Sequence, residues 1–235
     1  MADAPLDNGD ALQRYRDEVL RWNESFSLIS RVETQSRLEE LIRECRAAYL
    51  TLTDEILPAA ETRNTERPLH YVDLGSGAGL PGLVWHLLSG RRLFAAGTLL
   101  VEPRRKRAWF LERAAAVMGL QGLAVGEDQW GPRTALDGGG LPPRVTGLIT
   151  LKALRLSDPD ILAGWRRYRA SSLGDTVIIC RFLGQGAASD EAYSEQLGLP
   201  SLERAEHPAE PWARVFPCGD GPRSWRLQVS IYPQL

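Results

Sequence analysis

Gly75, Gly77 and Gly79 alternate within Tyr71-Val72-Asp73-Leu74-Gly75-Ser76-Gly77-Ala78-Gly79-Leu80-Pro81-Gly82, directly after an apolar run that carries a carboxylate near its end. Glycine admits positive φ and lets the backbone press against a ligand, while a helix opening near Pro81 aims its free N–H groups at the turn. That arrangement suits the holding of a nucleoside cofactor. Gly77, Gly79 and Gly82 match the spacing of the dinucleotide fingerprint, so two cofactor classes compete. Asp73 discriminates between them. A carboxylate inside the strand end would repel a pyrophosphate, whereas it could hold the ammonium of a methionine moiety. S-adenosylmethionine is therefore the expected cofactor, cradled by Gly75, Ser76, Gly77, Gly79, Leu80 and Pro81. Glu102, followed by Pro103, ends the next apolar run and is placed to accept both ribose hydroxyls. Glu127, Asp128 and Gln129 follow the third run, where either acid could accept the adenine amino group. Trp130 could cover an adenine face or close the core.

Holding these residues at one edge requires an alternating arrangement of strands and helices. Strands are expected at residues 69–74, 97–101, 122–125, 147–151 and 176–180, with helical stretches between them, which implies parallel pairing through right-handed crossovers. Two closing runs, residues 213–216 and 225–232, read as a hairpin-like antiparallel edge across Cys-Gly-Asp-Gly-Pro-Arg-Ser. Ligands bind outside the carboxyl ends of such strands, so the loops after Leu74, Val101, Val125 and Leu151 should ring one crevice. Lys152, Arg155 and Arg181 then fall on its substrate side as candidate catalytic residues whose charge would meet phosphate. Ahead of the first strand, Leu12, Tyr15, Val19, Trp22 and Phe26 recur at helical steps, as do Leu38, Leu41, Ile42, Cys45, Tyr49, Leu52 and Ile56. The expected organisation is a helical extension over residues 1–67 and a catalytic domain over 68–235. Residues 58–68 read as an exposed connection, and residues 131–144, with Gly-Gly-Gly and Pro-Pro, as a flexible loop near the cofactor edge.

The block Val72-Asp73-Leu74-Gly75-Ser76-Gly77-Ala78-Gly79-Leu80-Pro81-Gly82 resembles the bacterial 16S rRNA guanine-N7 methyltransferases, the RsmG or glucose-inhibited division protein B family. Two further blocks are similar to that family: Trp22-Asn23-Glu24-Ser25-Phe26-Ser27-Leu28-Ile29 within an amphipathic segment over residues 15–31, and Val101-Glu102-Pro103-Arg104-Arg105-Lys106-Arg107-Ala108-Trp109-Phe110-Leu111. The resemblance implies an α/β, Rossmann-like class I S-adenosylmethionine-dependent methyltransferase, with a seven-stranded, mostly parallel sheet and an N-terminal helical extension. It also implies rRNA in the small ribosomal subunit as substrate. Departures fall on the substrate side. The family's His followed by Asp-Ser is Ile42-Arg43-Glu44-Cys45-Arg46-Ala47-Ala48 here. Its Ser-Arg-Ala is Leu151-Lys152-Ala153, and its Leu-Lys-Gly lies in Cys180-Arg181-Phe182-Leu183-Gly184. Exchanging Arg and Lys changes geometry even where charge is kept.

Missing chemistry narrows the reaction. No cysteine sits in a Pro-Cys or Thr-Cys setting on a loop after one of the expected parallel strands, as a cytosine C5 methylase needs; the pair Pro217-Cys218 lies at the closing antiparallel edge. Leu151-Lys152-Ala153-Leu154 stands where an exocyclic-amine methylase carries Asn/Asp-Pro-Pro and an aromatic residue. Guanine N7 has an in-plane lone pair and no proton to lose, which suits a site without an evident general base. The alternatives are methylation of a small molecule or another RNA, or a ribosome-associated cofactor-binding module without turnover.

A chain of 235 residues, 43% hydrophobic and 25% charged, is ordinary globular material with net charge −2, so binding of RNA by overall charge is not expected. Arg91-Arg92, Arg104-Arg105-Lys106-Arg107 and Arg166-Arg167-Tyr168-Arg169 are the local candidates for phosphate contact. Cys45, Cys180 and Cys218 lack paired spacing, and His70, His86 and His207 lack ligand spacing, so neither a disulfide frame nor a metal is expected. No apolar run is long enough for a bilayer, and the acidic, polar N-terminus does not read as a secretory signal. A cytoplasmic monomer is the expectation.

Overall fold

Apolar stripes at helical spacing become α1 (Asn8–Phe26) and α2 (Thr34–Thr51), the latter running through one π-helical turn (Leu52–Ile56) into the short α3 (Leu57–Glu61). The computed structural model describes residues 8–61, 67–90, 92–170, 174–183, 211–218, 225–233 and 235. Alternation then follows as β1 (Leu69–Leu74), α4 (Gly82–Ser89), β2 (Thr98–Val101), α5 (Arg105–Val117), β3 (Leu123–Gly126), β4 (Thr146–Lys152), α6 (Asp158–Tyr168) and β5 (Thr176–Leu183). The chain closes with β6 (Trp212–Cys218) and β7 (Trp225–Tyr232).

The seven strands form one sheet in the order β3-β2-β1-β4-β5-β7-β6. β1 to β5 pair in parallel, while β7 runs antiparallel to β5 and β6 antiparallel to β7. This is the Rossmann-like class I methyltransferase fold anticipated from the sequence. Register sets the functional edge: Leu74 lies level with Val101 and Leu151, and Val101 with Gly126, so four strands end together. β1 is buried along its whole length, as expected of a parallel strand covered on both faces, whereas edge strand β3 is only partly covered.

One sheet face, with Tyr71, Leu148 and Ile178, packs under α1, α2, α4 and α5. The other, with Val72, Leu74 and Ile149, packs against Trp165 and Tyr168 of α6 and the loop residue Trp130. Trp130 donates its indole N–H to the Ile161 carbonyl at 3.1 Å, so it closes the core rather than an adenine face.

Several boundaries differ from expectation for local reasons. The amphipathic segment at residues 15–31 stops being helical at Phe26. Ser27 takes φ 49°, and the buried Asn23 side chain accepts the Ile29 N–H at 2.8 Å, turning the chain. The connection at 58–68 begins as helix α3, and residues 62–66 lie outside the described residues, as do the turn of the closing hairpin, Arg91, Gly184 and His207. The loop at 131–144 is pinned along its length. Thr134 and Ala135 bond to Asp128, Gly138 donates to the Tyr168 carbonyl, and the Arg169 guanidinium holds the Gly138 and Pro142 carbonyls. It runs from the carboxyl ends of the strands to their amino ends, where Gly138, Gly140 and Leu141 line a 450 Å³ hollow with His70 and the starts of β2 and β3. Arg169 is therefore committed to the core, ion-paired with Asp175 at 3.0 Å, and only Arg166 and Arg167 of that basic run are exposed.

Candidate functional site

The glycine turn is built on β1 and locked from three sides. Gly75 and Ser76 donate to the Val101 carbonyl at 2.8 and 3.1 Å, which seats the turn on the end of β2. Gly75, Gly77 and Gly79 all take positive φ, between 56° and 88°. A Cβ on Gly79 would lie 2.5 Å from Leu83, so α4 can approach this closely only over glycine. From below, the buried Tyr15 hydroxyl of α1 donates to the Ala78 carbonyl at 2.9 Å.

Asp73 is the internal anchor. It is 1% exposed; one carboxylate oxygen accepts the Thr150 hydroxyl at 2.6 Å and the other accepts the Gly82 N–H at 3.2 Å. Burial pushes its pKa up to about 6 against the opposing hydrogen bonds from Thr150, Ser76 and Gly82. These partners differ from the methionine ammonium expected of it. Asp73 joins β1, β4 and the start of α4, and a Cβ on Gly82 would stand 2.6 Å from its carboxylate. Thr150 was not singled out by sequence, because only the strand register places it level with Asp73.

Glu102 emerges at the end of β2 facing the turn. Its oxygens accept the Gly77 N–H at 2.9 Å and the Arg104 N–H at 3.0 Å, so an acid and a glycine 25 positions apart become one unit. Gly75 and Gly77 are half-buried, whereas Ser76, Gly79, Leu80 and Pro81 are buried. Of the predicted cradle, then, the first two glycines present backbone outward, Ser76 donates to the Asp73 carbonyl at 2.9 Å, and Leu80 and Pro81 brace the entry to α4. Pro103, Glu127 and Gln129 are exposed on the neighbouring loops. Asp128 turns back on its own loop: burial works to raise its pKa, but hydrogen bonds from Thr134, Ala135 and Gln129 hold it below the usual carboxylate range.

The three cations expected on the substrate side are not brought together as free charge. Lys152 forms an ion pair with Glu44 of α2, and its ammonium lies 4.9 Å from the Phe182 ring centroid. Arg181 pairs with the buried Asp158 and donates to the Leu156 carbonyl at 3.1 Å. Both partners come from other elements of the fold, α2 and the start of α6, so neither pair is visible in the local sequence around Lys152 or Arg181. Arg155 is exposed and has no ion-pair partner among the described residues. Cys45, Cys180 and Cys218 are all buried, and burial pushes their thiols upward, Cys218 to about 11, so none is a poised nucleophile.

The family model described as GidB, rRNA small subunit methyltransferase G, matches residues 8–129, which spans α1 through the loop after β3. The chain belongs to this family. Relatives named ribosomal RNA small subunit methyltransferase G include one from Rickettsia bellii (strain OSU 85-389), 30% identical over 117 residues, covering 50% of this chain and 52% of the relative. One from Myxococcus xanthus is 34% identical over 117 residues, covering 50% and 46%. One from Cereibacter sphaeroides is 26% identical over 163 residues, covering 68% of each. The chain thus spans about half the length of the first relatives it matches. The part shared with the GidB model contains the glycine turn, Asp73 and Glu102, and excludes Lys152, Arg155 and Arg181.

Among the described residues, no group of three or more His, Cys, Asp or Glu is arranged to hold a metal, and no helix is long and apolar enough to cross a membrane. His70 and His86 are core residues with both ring nitrogens bonded.

Proposed function

We propose that this chain is an S-adenosylmethionine-dependent methyltransferase acting on guanine N7 in small-subunit rRNA, working as a cytoplasmic monomer. The observation that carries this reading is the Glu102 carboxylate held against Gly77 at the common end of β1 and β2, in a chain of the GidB family. The residues fit the cofactor. The left-handed Gly77 leaves backbone open where a Cβ would otherwise project, since a Cβ there would meet nothing nearer than 3.7 Å, while Gly75 faces the Leu154 side chain. Gly75 and Gly77 would hold the amino-acid portion, Glu102 the ribose hydroxyls, and the Glu127-Asp128-Gln129 loop the adenine edge. Asp73, which ties β1 to β4 and to the start of α4, would act by fixing the shape of this turn.

The cofactor when bound supplies a sulfonium methyl that is electrophilic without further activation. The protein's task is then alignment and exclusion of water, because N7 requires no proton removal. Lys152 and Arg181, tied to Glu44 and Asp158, would shape the acceptor side through those pairs, and Arg155 is the cation of the three left to meet a phosphate.

The test is transfer of labelled methyl from S-adenosylmethionine to small ribosomal subunits from a strain lacking this modification, followed by nucleoside analysis. Label in 7-methylguanosine, lost on Asp73→Ala, is the expected result. A chain that binds the cofactor and labels no rRNA would sink the substrate assignment while leaving the cofactor reading intact.

A further inference from the structure

Three rings meet where α1 crosses α5: Trp22 and Phe26 are half-buried against the margin of the core, and Trp109 lies outside them. Trp22 and Phe26 of α1 stack with centroids 5.2 Å apart, and Trp109 of α5 meets them edge-on at 5.0 and 5.7 Å. Trp109 nonetheless stays 42% exposed. Two guanidinium groups flank the cluster: Arg21 lies 5.5 Å from the Trp22 ring, and Arg113 lies 5.7 Å from Trp22 and 6.0 Å from Trp109. Glu18 ion-pairs with Arg113 at 2.6 Å and fixes it in place. Arg105 and Lys106, one helical turn ahead of Trp109, are exposed and have no ion-pair partner among the described residues.

This surface is continuous with the cofactor turn. Arg107 donates to the Ser27 carbonyl at 2.7 Å, just past the end of α1, while its other terminal nitrogen lies 3.8 Å from where a Cβ on Gly77 would stand. One side chain therefore spans from the glycine turn to the aromatic cluster.

We propose that this surface of α1 and α5 docks single-stranded RNA, an unpaired base stacking on Trp109 while Arg105 and Lys106 meet the flanking phosphates. The inference rests on the function proposed above and names the part of the molecule that would hold the substrate. A chain of net charge −2 gains little from its overall field, so RNA must be held by a local combination of stacking and charge. Charge also selects the occupant. A second copy seated face to face would bring the same unpaired cations together, whereas RNA supplies their counter-charge.

The experiment is filter binding of the full chain to unmodified small subunits and to a short single-stranded RNA oligonucleotide across a salt series. Trp109→Ala should weaken binding roughly tenfold, and Trp109→Phe should restore most of it, because a ring suffices for stacking. Arg105→Ala with Lys106→Ala should reduce the salt slope on the oligonucleotide by about 1.4, roughly 0.7 for each lost phosphate contact. Affinity for S-adenosylmethionine should be unchanged in all three. Trp109→Ala binding RNA as well as the natural chain overturns the inference. So does a concentration-dependent dimer that Trp109→Ala abolishes without affecting RNA. If the natural chain binds neither RNA, the proposed function itself fails, which is distinguishable from an effect confined to Trp109.

Discussion

The buried titratable residues show how the environment decides what a side chain contributes. His70 is 3% exposed; its Nδ1 bonds the Ala96 carbonyl and its Nε2 the Tyr168 hydroxyl, each at 3.1 Å. Burial pushes its pKa down from 6.5 to about 4, with the backbone bonds to Ala96 and Gly97 opposing. An unfolded chain binds a proton on this residue near pH 6.5 and the folded chain does not. The stability it contributes is therefore complete above about 6.5 and is lost as pH falls towards about 4. The full gap corresponds to about 3 kcal/mol. Urea unfolding at pH 7 and at pH 4 should show the natural chain losing up to about that much more than His70→Gln, and parallel losses would contradict the assignment. The sequence shows only that His70 lacks ligand spacing, which leaves a surface and a core position both open. Choosing between those needed the α6 ring of Tyr168 stacked on it at 5.7 Å, a contact across 98 positions.

At the scale of elements, strand existence was legible because β1, β2, β4 and β5 are near-continuous apolar runs between turn residues. Parallel order followed from their alternation with helices. The glycine turn was legible for the same reason: its conformational demand is written in residue type. What sequence hid were pairings between elements, such as Thr150 with Asp73, Glu44 with Lys152 and Asp158 with Arg181. A carboxylate or ammonium looks free until the element opposite it is known. Gly82 shows the cost of such a junction. It opens α4 directly against Asp73, and a Cβ there would lie 2.5 Å from Leu100 and 2.6 Å from the Asp73 carboxylate, which Thr150 and the Gly82 N–H already hold. Gly82→Ala should destabilise the chain by about 1–3 kcal/mol through overpacking. It should also weaken S-adenosylmethionine binding, because the displaced Asp73 no longer fixes the turn. Denaturant midpoints and calorimetric titration measure the two effects, and a variant unchanged in both would show that the junction can relax.

For the whole molecule, residues 1–67 read in sequence as a helical extension ahead of the catalytic domain, its apolar stripes in need of a partner, and the helices of that segment share one core with the sheet. Tyr15, Leu38, Ile42 and Leu52 belong to the same buried cluster as Tyr71, Leu148, Ile178 and Trp212. The buried Trp85 of α4 donates its indole N–H to the Cys45 carbonyl of α2 at 2.8 Å, and Thr51 reaches the Pro217 carbonyl of β6. We propose that position 67 divides the sequence pattern but not the folding unit. A fragment of residues 68–235 would expose the part of one sheet face, and of α4 and α5, that α1 and α2 cover, leave the Trp85 N–H without its acceptor and remove the Tyr15 hydroxyl from beneath the glycine turn. Exposed apolar area on that scale drives self-association. The fragment should therefore bind a hydrophobic dye strongly, lack a cooperative thermal transition and fail to bind S-adenosylmethionine. A monomeric fragment that melts cooperatively and binds the cofactor would make residues 68–235 an independent domain, and α1 and α2 an accessory to it.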